Sequence, residues 1–119
     1  MFSKGDGFWC EGHVWIILSD PSKNDGQVLL VNLTTLDDDC PDDECILDET
    51  HYAWIKPNHP TAVAFSRFRI WNVARLSAAI GLKLVNAAHP KSLPGGTISK
   101  IIAAAKVSRE LSRKAKGML

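Results

Sequence analysis

His13-Val14-Trp15-Ile16-Ile17-Leu18 is the stretch that sets the fold: from Val14 onward five apolar residues follow one another, most of them β-branched or aromatic. A run this short and this rich in strand formers reads as a buried β-strand. The turn-forming series Ser19-Asp20-Pro21-Ser22-Lys23-Asn24-Asp25-Gly26 ends it. Val28-Leu29-Leu30-Val31-Asn32-Leu33 is a second strand of the same kind, and the eight-residue gap suits an antiparallel pair joined by a long hairpin loop.

Moving outward, residues 36–44 hold too few apolar side chains to pack and read as a surface loop. Cys45-Ile46-Leu47 resumes the sheet. His51-Tyr52-Ala53-Trp54-Ile55 alternates loosely and is expected as a strand, Lys56-Pro57-Asn58-His59-Pro60 as a turn, and Thr61-Ala62-Val63-Ala64-Phe65 as a further strand. Five short strands are thus expected in the first 70 residues.

After Arg69 the pattern changes. Ile70, Val73, Ala74, Leu76, Ala78 and Ile80 lie in a Pro-free segment that Gly81 stops, which predicts a helix over residues 70–81. His89-Pro90-Lys91-Ser92-Leu93-Pro94-Gly95-Gly96 is dense in helix breakers and reads as a linker. Thr97 is placed to cap a second helix running to about residue 116, with Ile98, Ile101, Ile102 and Ala105 as a stripe for docking on the sheet or on a partner. The expected architecture is mainly β with appended helices: a small barrel of five to seven antiparallel strands, then one or two C-terminal helices, all in a single domain over residues 1–119.

Composition fits that size. With 119 residues and 45% hydrophobic content, one core can bury roughly two-thirds of the unfolded surface without metal or disulfide staples. No apolar run approaches the roughly 20 residues of a membrane-spanning helix. Met1-Phe2-Ser3-Lys4-Gly5-Asp6 lacks the features of a secretory signal, so a cytoplasmic protein is expected. The odd set Cys10, Cys40 and Cys45 does not suit paired disulfides. Cys40-x4-Cys45 followed by His51, with Cys10-x2-His13, leaves zinc as a minor reading, but neither spacing is a standard knuckle, and no metal or cofactor is expected. Charge is strongly segregated: eight acids and no base lie in residues 37–49, and six bases against Glu110 alone lie in residues 97–119. Both blocks suit solvated surface, and the basic one also suits a phosphate backbone or an acidic partner.

His13-Val14-Trp15-Ile16-Ile17-Leu18-Ser19-Asp20-Pro21 resembles the segment of PemK/MazF-type toxin ribonucleases in which a basic residue opens a buried strand ending near Ser-Pro. The strand ending in Thr34-Thr35 resembles the second hallmark of that family, and residues 62–69 fall where the family has a strand with further polar site residues. The likeness covers roughly residues 5–80. It implies an SH3-like barrel, usually a homodimer, that cleaves single-stranded RNA without metal by 2′-hydroxyl attack, with an antitoxin or other small protein as partner.

Such chemistry needs a base for the 2′-hydroxyl, an acid for the leaving oxygen and donors for a charged phosphorane. Thr34 matches the position of the family's catalytic threonine, and Thr35 beside it is a second hydroxyl donor. His13 stands where the family commonly has arginine, and an imidazole can serve there as acid or base at neutral pH. His51 is the candidate second imidazole on chemical grounds. Arg67, Arg69, Ser19 and Trp54 are the candidate RNA- and phosphate-binding residues, the arginines as guanidinium forks and Trp54, like Trp9, as a stacking platform. The sequence has no acid between Val63 and Arg69, where some family members carry one. The alternative is a non-catalytic barrel module that binds nucleic acid or a protein.

Overall fold

The computed structural model describes residues 3–36, 42–53, 55–81 and 93–119. Its strands are β1 (Gly7–Cys10), β2 (His13–Ile17), β3 (Gln27–Thr35), β4 (Ile46–Leu47) and β5 (Thr61–Asn72), and its helices α1 (Val73–Gly81), α2 (Gly95–Val107) and α3 (Arg113–Lys116). The strands form one antiparallel sheet in the order β1-β2-β3-β5-β4, curled into a half-barrel. The strand-rich core with appended helices is therefore present.

The unbroken apolar runs of β2 and β3 follow from burial on both faces of the sheet. Val14, Ile16, Leu18, Leu29, Val31 and Leu33 face one core, which α2 covers with Ile101 and Ala105 and the C-terminal segment covers with Leu111, Ala115 and Met118. Trp15, Ile17, Val28 and Leu30 face a smaller core, closed by Phe8 and Cys10 of β1 and Leu76 of α1. Side chains such as Ile16, Leu29 and Phe65 are fully buried, each contributing about 1.5–3 kcal/mol.

β5 carries the bend. Gln27 to Leu30 pair with Asn72 to Arg69, but Asn32 pairs with Ala64, so several residues of β5 stand opposite Val31 alone. Such a bulge sharpens local twist and lets one strand serve both halves of a curled sheet. Asp42 holds it: the buried carboxylate accepts from the Ser66 N–H at 2.9 Å and from the Ser66 hydroxyl at 2.6 Å.

Four expectations need correction. Strand β1 adds to the expected set: its four residues, opening on Gly7 and closed by the Glu11-Gly12 turn, carry too short an apolar pattern to predict a strand. Residues 51–53 form a turn in place of a strand, because Asp48 captures the chain: its carboxylate accepts from the Thr50 N–H at 2.8 Å and its carbonyl from the His51 N–H at 3.0 Å. The helix expected from residue 70 begins at Val73, since pairing with Val28 and Leu29 keeps Ile70 and Trp71 extended. The single helix expected over residues 97–116 is two. It starts at Gly95 after Pro94, while the Thr97 hydroxyl donates to the His51 carbonyl and does not act as a cap. It breaks at Ser108, whose hydroxyl donates to Glu44 Oε1 at 2.6 Å while the Arg109 N–H donates to Oε2 at 2.9 Å. Residues 89–92 of the expected linker, with Cys40 and Trp54, lie outside the described residues. No helix among those described is long and apolar enough to cross a membrane.

Candidate functional site

The start of β2 and the end of β3 meet at one end of the sheet. Val14 pairs with Leu33, and one further step of that register sets His13 opposite Thr34. On the other side of β3, Thr35 pairs with Thr61 at the start of β5. The chain reaches Thr61 through Lys56-Pro57-Asn58-His59, which closes with the His59 N–H donating to the Lys56 carbonyl at 3.1 Å. Proline first and Asn58 second at φ 63° is the pattern of a type II turn, which holds its two end residues close together. Lys56 and His59 are those ends. The Leu36 N–H to the Pro60 carbonyl at 3.0 Å and the Thr61 hydroxyl to the His59 carbonyl at 3.2 Å fix the turn against β3.

Together these elements border an open groove of about 770 Å³, lined by His13, Thr34, Thr35, Lys56, His59 and Thr61 over an apolar floor that includes Val14, Leu33 and Ile55. Trp9 of β1, 41% exposed, stands on its margin. Strand alternation places Thr35 on the face of Leu33 and Thr34 on the face of Asn32, so the strand end presents hydroxyls on both sides of its backbone. Thr34 Oγ1 donates to the buried Asn32 Oδ1 at 2.9 Å, which fixes its rotamer and leaves the hydroxyl oxygen as an acceptor. The lining thus offers one ammonium, two imidazoles, three hydroxyls and an aromatic edge. A set of this chemistry can hold an anion with an adjacent flat group, and imidazoles can transfer protons at neutral pH.

Of the residues singled out in the sequence, the structure brings His13, Thr34 and Thr35 together. His51 stands apart: it is half-buried in the Asp48 turn, where its Nδ1 accepts from the Asp48 N–H at 3.1 Å. Thr50 hydrogen bonds, first through its hydroxyl and then its N–H, hold the Asp48 carboxyl below its usual range. Ser19 is buried at the far end of β2, about 20 Å of strand from His13, and its Oγ accepts from the Leu29 N–H at 2.8 Å. Arg67 is exposed on the bulge. Arg69 lies over the Trp15 ring at 4.5 Å and pairs with Glu11 at 3.2 Å, on the face that carries α1. Trp54 lies outside the described residues.

Lys56 and His59 are groove residues in a segment whose sequence predicts only a turn. The available signal was chemical: a proline turn with lysine and histidine at its two ends, two residues before a strand.

The two described cysteines, Cys10 and Cys45, belong to different cores. Cys10 sits under Trp15, whose indole N–H donates to the Cys10 carbonyl at 3.1 Å, while Cys45 belongs to the core beneath α2. Burial raises both thiols above their ordinary range. Among the described residues no three of His, Cys, Asp and Glu gather as metal ligands. In comparisons with known proteins, no family model matches the chain and no curated protein matches it.

Proposed function

We propose that the groove is the active site of a metal-independent, toxin-like endoribonuclease on an SH3-like barrel, cytoplasmic and homodimeric, with a small antitoxin-like protein as its partner. The observation that carries the reading is the meeting of His13 with Thr34 and Thr35, twenty and more residues apart in sequence, beside His59 and Lys56 in one groove. His51, engaged with Asp48, yields the second imidazole role to His59.

In this reading one imidazole takes the proton of a ribose 2′-hydroxyl as its oxygen attacks the adjacent phosphorus. The phosphorus–O5′ bond breaks, and the other imidazole, entering protonated, gives its proton to the departing oxygen. The products are a 2′,3′-cyclic phosphate and a 5′-hydroxyl. Lys56 and the Thr35 hydroxyl face the phosphorane oxygens, where charge grows during the attack, and Thr34 joins them only if its hydroxyl turns from Asn32 to the substrate. Trp9 offers a stacking surface to an unpaired base.

The test is cleavage of a long single-stranded RNA in EDTA, with end analysis for cyclic phosphate. His13→Ala and His59→Ala are each expected to slow it about 100-fold or more, and rates equal to wild type would sink the proposal. A second reading, a groove that binds RNA or a protein segment without cutting, is favoured by the lack of arginine among the described lining residues. Wild type that binds single-stranded RNA but leaves it intact would select it.

A further inference from the structure

Beside the groove, on the face of the sheet that carries α1, cationic and aromatic side chains alternate. Trp15 pairs with Asn32, Arg69 with Leu30 and Trp71 with Val28, which sets Trp15, Arg69 and Trp71 on one face. The Arg69 guanidinium lies 4.5 Å from the Trp15 ring centroid and 5.9 Å from that of Trp71. Arg75, in the first turn of α1, lies 5.7 Å from the Trp71 centroid. His13 shares this face, two residues, or about 7 Å, from Trp15, so the row begins at the groove rim.

Arg75 is exposed and has no carboxylate partner among the described residues, whereas Arg69 has Glu11 at 3.2 Å. Glu11 occupies an unusual place. With Gly12 it makes the two-residue turn between β1 and β2, at φ 53° and 80°. Asn, Asp or Gly fits such a position best, and a glutamate there bears backbone strain. Both side chains of the Glu11–Arg69 pair are substantially exposed, at 64% and 39%, so the pair adds little stability in return. An acid kept in a strained turn against a stacked guanidinium suits a counter-ion that a phosphate displaces better than it suits a structural brace.

We propose that Arg69, Trp71 and Arg75 form a second nucleotide-binding patch, masked by Glu11, that holds the single-stranded RNA flanking the segment in the groove. In naming that RNA the proposal rests on the ribonuclease reading of the groove. A phosphate pairs with Arg69 in place of Glu11, and a base stacks on the exposed guanidinium plane of Arg75, which Trp71 supports from below. The patch grips without cutting.

The test is fluorescence anisotropy of a labelled eight-nucleotide single-stranded RNA, 2′-O-methylated so that it cannot be cleaved, titrated with the full chain at several salt concentrations. Glu11→Gln is expected to tighten binding about threefold and to steepen the log–log salt dependence by about 0.7, the share of one additional phosphate contact on a single strand. Arg75→Ala, on the surface, is expected to weaken binding about threefold to tenfold and to flatten that slope. Glu11→Asn, suited to the turn, should match Glu11→Gln in binding while folding at least as stably as wild type. Affinities of Glu11→Gln and Arg75→Ala equal to wild type would overturn the patch, as would absence of binding by all the proteins or marked destabilisation by Glu11→Asn. The cleavage assay fails separately: intact RNA with binding still sensitive to Glu11 and Arg75 removes the ribonuclease reading and keeps the patch.

Discussion

The acidic segment and the groove are both polar regions next to the sheet, and they use their polar atoms in opposite ways. Three of the segment's described acids are hydrogen-bonded into the fold: Asp42 holds the bulge of β5, Glu44 ends α2, and Asp48 winds the turn that follows β4. Each of these carboxylates accepts at least one backbone N–H, where a charged acceptor is stronger than a neutral one. In the groove, Lys56, His59 and Thr35 are exposed and lie on a turn and a strand end that are held mainly by backbone hydrogen bonds. The difference teaches that the three bonded carboxylates of this segment serve stability, whereas the Lys56, His59 and Thr35 side chains remain available for a ligand.

The sharpest way to break that contrast is at Asp42. Asp42→Ala deprives the Ser66 N–H and hydroxyl of a charged acceptor beside a buried site, a loss of about 3 kcal/mol. For a domain of this size that lowers the melting temperature by roughly 10–20 °C. Thermal unfolding by circular dichroism reads it directly. A shift of only a few degrees would mean that the bulge holds itself and that Asp42 is not its anchor.

The sequence made the sheet legible because β2 and β3 are continuous apolar runs bounded by strong turn formers, a local pattern that tertiary context does not reverse. It also pointed to His13 and the Thr34-Thr35 pair, since those residues end the same two strands. What stayed hidden was set by side chains reaching across long stretches of chain. Nothing near Ser108 in sequence announces that Glu44, 64 residues away, will draw the helix end to itself, and nothing near Ser66 announces Asp42. The acidic stretch reads as a solvated loop because charge density is a local property, whereas the N–H groups its carboxylates accept lie elsewhere. His59 escaped for the reverse reason: its turn was legible, but the groove that gives the turn a use exists only once β3 and β5 are paired.

Acid sharpens the comparison further. The Ser108 hydroxyl, then the Arg109 N–H, hold the Glu44 carboxyl below its ordinary range, and Asp48 is lowered by its Thr50 hydrogen bonds. A carboxyl with a lower pKa in the folded than in the unfolded chain binds its proton less readily when folded. Its stabilising contribution is therefore complete above the unfolded value, about 4.3 for glutamate, and disappears as pH falls through the folded one. Denaturant midpoints are expected to be level from pH 7 to about 5 and to drop below that, with Glu44→Gln reducing the drop. A Glu44→Gln midpoint that falls with pH as steeply as wild type would place the acid lability elsewhere.

The smallest expected effect tests the other side of the contrast. Lys56→Ala and Thr35→Ala remove side chains that no described hydrogen bond or ion pair holds to the body of the protein, and His59 contributes to its turn through backbone atoms alone. Substitutions of this kind change stability by about 0.5 kcal/mol or less, within a few degrees of melting temperature. The same Lys56→Ala protein should lose affinity for single-stranded RNA and show a flatter salt dependence, because its ammonium is the one formal positive charge among the groove's described lysine and arginine side chains. Stability and binding thus move apart at Lys56, whereas at Asp42 stability moves most. A Lys56→Ala loss of more than about 1.5 kcal/mol, beyond what an exposed substitution away from caps and buried networks produces, would make the turn part of the scaffold and collapse the distinction between the two regions.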